Sequence, residues 1–138
     1  MDNPSTIIFV EDNPSDLRLF KYALDQVQSD IGLTHYEHGR AFLEALPAHY
    51  PSSIYCILLD LNMPFISGME VIEQIKKMPD YSHIPIIVFT STNTNEEKQK
   101  AYGLGANAYV QKPLEIDDLV IVVQRIIDFW VNVNDRVA

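Results

Sequence analysis

The chain has one cysteine, five glycines, one tryptophan and only 10 Lys and Arg among its 138 residues. A single thiol, Cys56, rules out an internal disulfide framework and suits a reducing compartment. The 10 basic residues face 19 Asp and Glu, for a formal charge of −9. That balance excludes a protein that wraps nucleic acid, which must meet phosphates with clustered Lys and Arg. No apolar run approaches the roughly 20 residues that a bilayer-spanning helix needs. Met1 to Ser5 carry neither the basic nor the apolar segment of a secretory leader. The expectation is a cytoplasmic protein, one domain over residues 1–138, with no membrane or nucleic-acid partner. At 47% hydrophobic and 21% charged, it has the apolar side chains for a packed core.

Apolar periodicity alternates between short β-like runs and helical stripes. Thr6 to Val10 reads as a strand that stops at Glu11-Asp12. Asn13-Pro14 then starts a helix whose face is Leu17, Phe20, Leu24 and Val27. A weaker strand over Leu33 to Glu37 precedes a helix around Ala41, Phe42, Ala45 and Leu46. Ile54 to Leu59, continuously apolar, predicts a central strand covered on both faces and ends at Asp60. Ser67-Gly68 opens a helix with Met69, Ile72, Ile75 and Met78 inward. Ile84 to Phe89 is a fourth strand ending at Thr90. Thr94 and Glu97 have capping-box spacing for the next helix, which stops near Gly103 and Gly105. Ala108 to Val110 is a fifth strand ending at Lys112-Pro113, and a last helix runs from about Glu115 to Trp130. Strict alternation with right-handed crossovers predicts an α/β fold, a doubly wound parallel sheet with helices on both faces.

In such sheets ligands bind beyond the carboxyl ends of the strands. There the pattern gathers Glu11, Asp12 and Asp60, with the hydroxyl of Thr90 and the ammonium of Lys112. Any one of these is ordinary; acids near a helix start, for example, are favoured by its dipole. Together they are not. Three crowded carboxylates repel unless a cation shares the site, and Mg²⁺ prefers such oxygens. The Lys and Thr suit an incoming phosphoryl group, so the set favours phosphoryl chemistry on a carboxylate. Asp60, ending the most buried strand, is the candidate nucleophile. His35, His38, His49 and His83 lack metal-ligand spacing and read as surface residues, and Cys56 reads as a small core hydrophobe.

The ordered set Val10-Glu11-Asp12-Asn13, Leu59-Asp60-Leu61-Asn62-Met63-Pro64, Gly68, Thr90-Ser91, Gly105-Ala106 and Lys112-Pro113 resembles response-regulator receiver domains of two-component signalling, over essentially the whole chain. The resemblance implies a flavodoxin-like sheet of order 2-1-3-4-5 with five helices; with the chain ending at Ala138 soon after the fifth helix, no output domain is expected. It implies that Asp60 accepts a phosphoryl group from a partner histidine kinase. Mg²⁺ would be held by Asp12, Asp60 and the Asn62 carbonyl, with Glu11 acting through water. Lys112 would pair with the phosphoryl group, across a cis Lys112-Pro113 bond. Thr90 would move toward the phosphoryl group and Tyr109 would fill the vacated space, repacking the face of the fourth helix, fifth strand and fifth helix. Asn62 and Thr92 stand at positions that tune the phosphoryl lifetime. Ser67 replaces the family's usual Asp, and both residues cap helices.

Asp16-Leu17-Arg18-Leu19 and Ile127-Asp128-Phe129-Trp130 are similar to stand-alone receivers paired with phytochrome-type histidine kinases. In the last helix, Ile116, Leu119, Val120, Val123, Ile126, Ile127 and Trp130 form a core stripe, with Ile121, Val122, Phe129 and Val131 outside it. That second apolar side predicts a homodimer or kinase-docking surface. Phe65, beside the phosphorylation loop, is a further docking candidate. Two rival functions remain: a pseudo-receiver that only binds, and a Mg²⁺-dependent aspartyl phosphohydrolase. The first has no use for both Thr90 and Lys112. The second would place an acid two residues after the nucleophile, where Asn62 stands.

Overall fold

The computed structural model of the chain describes residues 4–28 and 30–137. Five strands, β1 (Thr6–Val10), β2 (Gly32–Tyr36), β3 (Ile54–Leu59), β4 (Ile86–Thr90) and β5 (Ala108–Gln111), alternate with five α-helices. These are α1 (Pro14–Val27), α2 (Gly39–Ala45), α3 (Gly68–Lys76), α4 (Asn95–Leu104) and α5 (Ile116–Ile126). The strands form one parallel sheet in the order β2-β1-β3-β4-β5. Val10 pairs with Tyr36 on one side and Leu59 on the other, Leu59 with Val88, and Thr90 with Gln111. The carboxyl ends of β1, β3, β4 and β5 are therefore aligned at one edge.

Strand side chains alternate between faces, and the core divides accordingly. Ile8, Val10, Ile57, Leu59, Ile86 and Val88 pack with Phe42, Val71, Ile72 and Ile75 from α2 and α3. Ile7, Phe9, Cys56, Leu58, Ile87 and Phe89 pack with Phe20 and Leu24 of α1 and Leu119, Val123 and Ile126 of α5. Covering both faces with helices explains why β1, β3 and β4 read as continuous apolar runs.

Several boundaries differ from the sequence expectation for physical reasons. β4 begins at Ile86, not Ile84, because Pro85 has no N–H to give a central ladder. Pro85 serves instead as an acceptor, its carbonyl taking the Ile57 N–H at 2.9 Å. β2 is set one residue earlier by pairing Gly32 with Thr6. The α-helical part of α5 stops at Ile126, and a π-helical turn, Ile127–Val131, completes it, with Asn132 N–H donating to the Ile127 carbonyl at 3.1 Å. The wider turn brings Val131 partly against the core, and Val122 packs there as well, whereas Ile116 is exposed. Among the described residues there is no cis peptide bond, so Lys112-Pro113 is trans, the form an X–Pro bond favours by about 0.5–1 kcal/mol. Gly105 ends α4 with φ 117°, a left-handed conformation that glycine adopts without steric cost.

Candidate functional site

Each reacting group predicted from the sequence stands where a strand gives way to a loop. Glu11 and Asp12 follow β1, Asp60 follows β3, Thr90 ends β4, and Lys112 is one residue past β5. The backbone fixes them: Asp60 N–H donates to the Val10 carbonyl at 3.2 Å and Lys112 N–H to the Thr90 carbonyl at 2.8 Å. Glu11 is anchored on both sides, its N–H on the Tyr36 carbonyl (3.0 Å) and its own carbonyl against His35 Nε2 (2.7 Å).

Glu11, Asp12 and Asp60 each place a carboxylate oxygen within 4.8 Å of the others. Lys112 Nζ contacts Glu11 Oε1 at 2.5 Å, Asp16 Oδ2 at 2.9 Å and Asp60 Oδ2 at 3.2 Å. Burial drives the Glu11 carboxyl up to about 8; the Lys112 hydrogen bond opposes this, and the nearby Asp60 charge reinforces it. Burial also disfavours the Lys112 ammonium, but hydrogen bonds to Glu11 and Asp16 and the charges of Asp60 and Glu11 outweigh it and raise its pKa. One ammonium thus does not neutralise the carboxylates around it. Three clustered carboxylates fit a hard divalent cation, whose charge would offset their mutual repulsion.

The remaining groups join by hydrogen bonds. Asp60 Oδ1 accepts the Asn62 N–H at 3.2 Å, and Asn62 Nδ2 donates to Thr90 Oγ1 at 3.4 Å. Thr90, fully buried, lies 3.5 Å from Thr92 Oγ1, which donates to Glu97 Oε2 at 2.7 Å. The Tyr109 hydroxyl donates to the Thr92 carbonyl at 3.1 Å. Among the described residues, Asp60 and Thr90 are joined by a continuous path to the start of α4.

Two participants escape a motif reading. Asp16 looks like an ordinary acid in a first helical turn, yet it holds Lys112. Glu97 has capping-box spacing and, while Thr94 Oγ1 does accept its N–H at 3.2 Å, its carboxylate goes to Thr92. Three of the four histidines do more than cover the surface. His35 fixes Glu11, His38 Nδ1 caps α2 by accepting the Ala41 N–H (3.2 Å), and His49 Nε2 meets the Tyr36 hydroxyl at 2.7 Å. His83 is exposed. Phe65, 81% exposed, has φ 69°, a conformation that bulky residues rarely adopt.

A family model described as response regulator receiver domain matches residues 7–124. The response regulator Rcp1 of Synechocystis sp. is 35% identical over 133 residues, spanning 94% of this chain and 90% of that protein. A probable methanogenesis regulatory protein, FilR2, of Methanothrix harundinacea is 31% identical, spanning 96% of this chain and 88% of its own. Among solved structures, the Mn²⁺-bound form of Rcp1 superposes with a TM-score of 0.85 at 34% identity, covering 98% of this chain and all of that one. The phosphorylated cyanobacterial phytochrome response regulator RcpA superposes with a TM-score of 0.88 at 27% identity, covering 99% of this chain and all of its own.

Proposed function

Because the chain belongs to the response regulator receiver domain family, we propose that Asp60 is its phosphoacceptor and that the phosphoryl group comes from a phosphohistidine on a sensor histidine kinase. The observation that carries this reading is the position of Asp60. Its carboxylate lies within 4.8 Å of those of Glu11 and Asp12 and also meets the ammonium of Lys112, with Oδ2 3.2 Å from Nζ. In the transfer an Asp60 oxygen forms the bond to phosphorus as the phosphorus–nitrogen bond breaks. The leaving imidazole takes the bonding pair and a proton from solvent. Lys112 offers its charge to the phosphoryl oxygens, and Thr90 turns its hydroxyl onto one of them. Asp12, Asp60 and the Asn62 carbonyl would hold Mg²⁺, with Glu11 acting through water, and the ion would supply positive charge against those oxygens.

Tyr109 moves into the space that Thr90 leaves, which changes the face made by α4, β5 and α5. The output is binding, and the chemistry is confined to the protein's own phosphotransfer and dephosphorylation. A kinase of phytochrome type is supported by the likeness to the phytochrome response regulator RcpA. Cytoplasmic residence suits one buried free thiol, and no helix among the described residues is long and apolar enough to cross a membrane. A homodimer through the same face is supported by Ile121 and Phe129, each about half exposed.

Incubation with Mg²⁺ and acetyl phosphate, followed by intact mass, tests the reading. The wild type gains one base-labile phosphoryl group and Asp60→Asn gains none. An unmodified wild type would sink it, and catalytic turnover of phosphate esters would favour the hydrolase. For the dimer, light scattering of the wild type should give twice the mass of Phe129→Glu; equal monomer masses remove that claim.

A further inference from the structure

We infer that Asp16 is a positioning residue for Lys112, an inference that rests on the phosphoacceptor reading of Asp60. An ammonium has three N–H donors, and those of Lys112 are matched by three carboxylates: Glu11 at 2.5 Å, Asp16 at 2.9 Å and Asp60 at 3.2 Å. Glu11 and Asp60 belong to the carboxylate trio at the strand ends, and Asp16 does not. It comes from α1 and remains about one-third exposed, on the solvent side of the ammonium.

The start of α1 explains how Asp16 becomes available. Asn13 caps the helix, its Oδ1 accepting the N–H groups of Ser15 at 2.8 Å and Asp16 at 3.3 Å. Asp16 is then the third helical residue, whose acidic side chain ordinarily reaches back to the cap N–H. Here Glu11 Oε2 already accepts the Asn13 N–H at 3.3 Å. The Asp16 carboxylate is released from the helix start and reaches across to Lys112, 96 residues away in sequence.

Two anchors from outside the reacting carboxylate hold the ammonium while its third N–H points at Asp60 Oδ2. That third contact is the longest of the three. When Asp60 carries a phosphoryl group, the third N–H passes from a carboxylate oxygen to a phosphoryl oxygen, and Nζ stays held by the other two. Without Asp16, Glu11 is the single remaining anchor and the four-carbon stem of Lys112 can rotate about it.

The test compares phosphorylation by acetyl phosphate at saturating Mg²⁺ in wild type, Asp16→Ala and Asp16→Asn, each alone and with Lys112→Ala. Losing one charge-assisted hydrogen bond predicts a roughly tenfold lower rate constant in Asp16→Ala, with Asp16→Asn between it and the wild type. Mg²⁺ affinity, measured by calorimetry without a phosphodonor, should be little changed. In the Lys112→Ala background, Asp16→Ala should cause no further loss, which a merely structural role would not reproduce. Folding of each variant is checked by circular dichroism, and Asp16→Asn keeps a side chain of the same shape. A rate in Asp16→Ala equal to or above wild type overturns the inference, as does an equal fractional loss with Lys112 absent. If the wild type itself gains no phosphoryl group, the phosphoacceptor reading fails first and takes this one with it.

Discussion

Gly68→Ala and Gly103→Ala make the same chemical change in two helices, and the surroundings give them opposite signs. A Cβ on Gly68 would lie 2.5 Å from the Asp60 carbonyl oxygen and 2.7 Å from Leu61 Cα. Both are backbone atoms, and the Gly68 N–H is tied to the Leu61 carbonyl at 3.0 Å, so the loop cannot slide aside freely. Ordinary contact begins at 3.4 Å, so α3 and the loop must separate by about 0.9 Å. Overpacking of this kind costs about 1–3 kcal/mol, and the helix-forming advantage of Ala returns at most about 1. Gly68 is the first helical residue, where little of that advantage is realised, so a net loss of about 1–2 kcal/mol is expected. Around Gly103 nothing lies within 4 Å, so there Ala should stabilise by about 0.5 kcal/mol through the unfolded chain's lost freedom.

Urea unfolding followed by Trp130 fluorescence and circular dichroism measures both variants, with m-values expected to match the wild type. In a domain of this size the Gly68 variant should melt roughly 3–7 °C lower. Because the displaced atom is the Asp60 carbonyl oxygen, the Asp60 carboxylate, the proposed phosphoacceptor, moves with it. A misplacement near 1 Å can cost up to about a hundredfold in rate, so phosphorylation should suffer in Gly68→Ala and not in Gly103→Ala. A Gly68→Ala protein as stable as wild type refutes the packing argument. One that is destabilised yet phosphorylated at the wild-type rate refutes the link between this glycine and Asp60.

Three further outcomes follow from groups outside the cluster of Glu11, Asp12 and Asp60. Burial lowers the pKa of His49 from its ordinary 6.5, so below that pH the unfolded chain binds a proton that the folded one resists. Stability should fall as pH drops through about 6.5 toward the folded value, and His49→Gln should flatten that fall; identical slopes in the two proteins would refute it. Burial pushes the Cys56 thiol up to about 12, so an aromatic disulfide reagent should label it only after unfolding. Labelling of the native protein at the rate of a free thiol contradicts the buried-strand placement. A double-mutant cycle of Thr92→Val and Glu97→Ala should return a coupling of about 1 kcal/mol for their 2.7 Å hydrogen bond, and a coupling near zero would disconnect the pair.

The strand ends were legible because two simple signals coincide there. Continuous apolar runs such as Ile54 to Leu59 require cover on both faces, and each run stops at a residue that cannot be buried without a partner. Parallel order then brings Glu11, Asp12, Asp60, Thr90 and Lys112 to one edge with no further information. Pairing among polar groups was not legible, because it is decided by competition across the fold. Asp16 and Glu97 both have the spacing of local capping acids, and both serve a distant or neighbouring side chain instead. At Asp16 the competitor is identifiable: Glu11 takes the cap N–H. The π-helical turn at the end of α5 was hidden for a related reason. A stripe with apolar residues on two sides does not reveal which side will be turned inward, and one wider turn brings Val131 onto the core.

The hydrogen-bond lengths around Thr90 are graded in a way that suits the movement proposed for it. Thr92 has a single hydroxyl proton and gives it to Glu97 at 2.7 Å, so in the 3.5 Å contact between the two threonines Thr90 is the donor. Thr90 therefore points its proton away from Asp60 at rest, toward an acceptor held in place by a carboxylate. Its two contacts, to Asn62 at 3.4 Å and Thr92 at 3.5 Å, lie at or beyond the weak end of hydrogen-bond distances. Turning the hydroxyl onto a phosphoryl oxygen gives up little, while a charge-assisted bond to that oxygen is roughly twice as strong as a neutral one. The tight contact, Thr92 to Glu97 at 2.7 Å, belongs to the frame beside Thr90, while the longer Tyr109 hydroxyl contact to the Thr92 carbonyl, 3.1 Å, leaves that ring freer to shift. On the proposed switch, a weakly held Thr90 beside a firmly held Thr92 would let a local change of charge bias two states of the α4–β5 face without refolding either one.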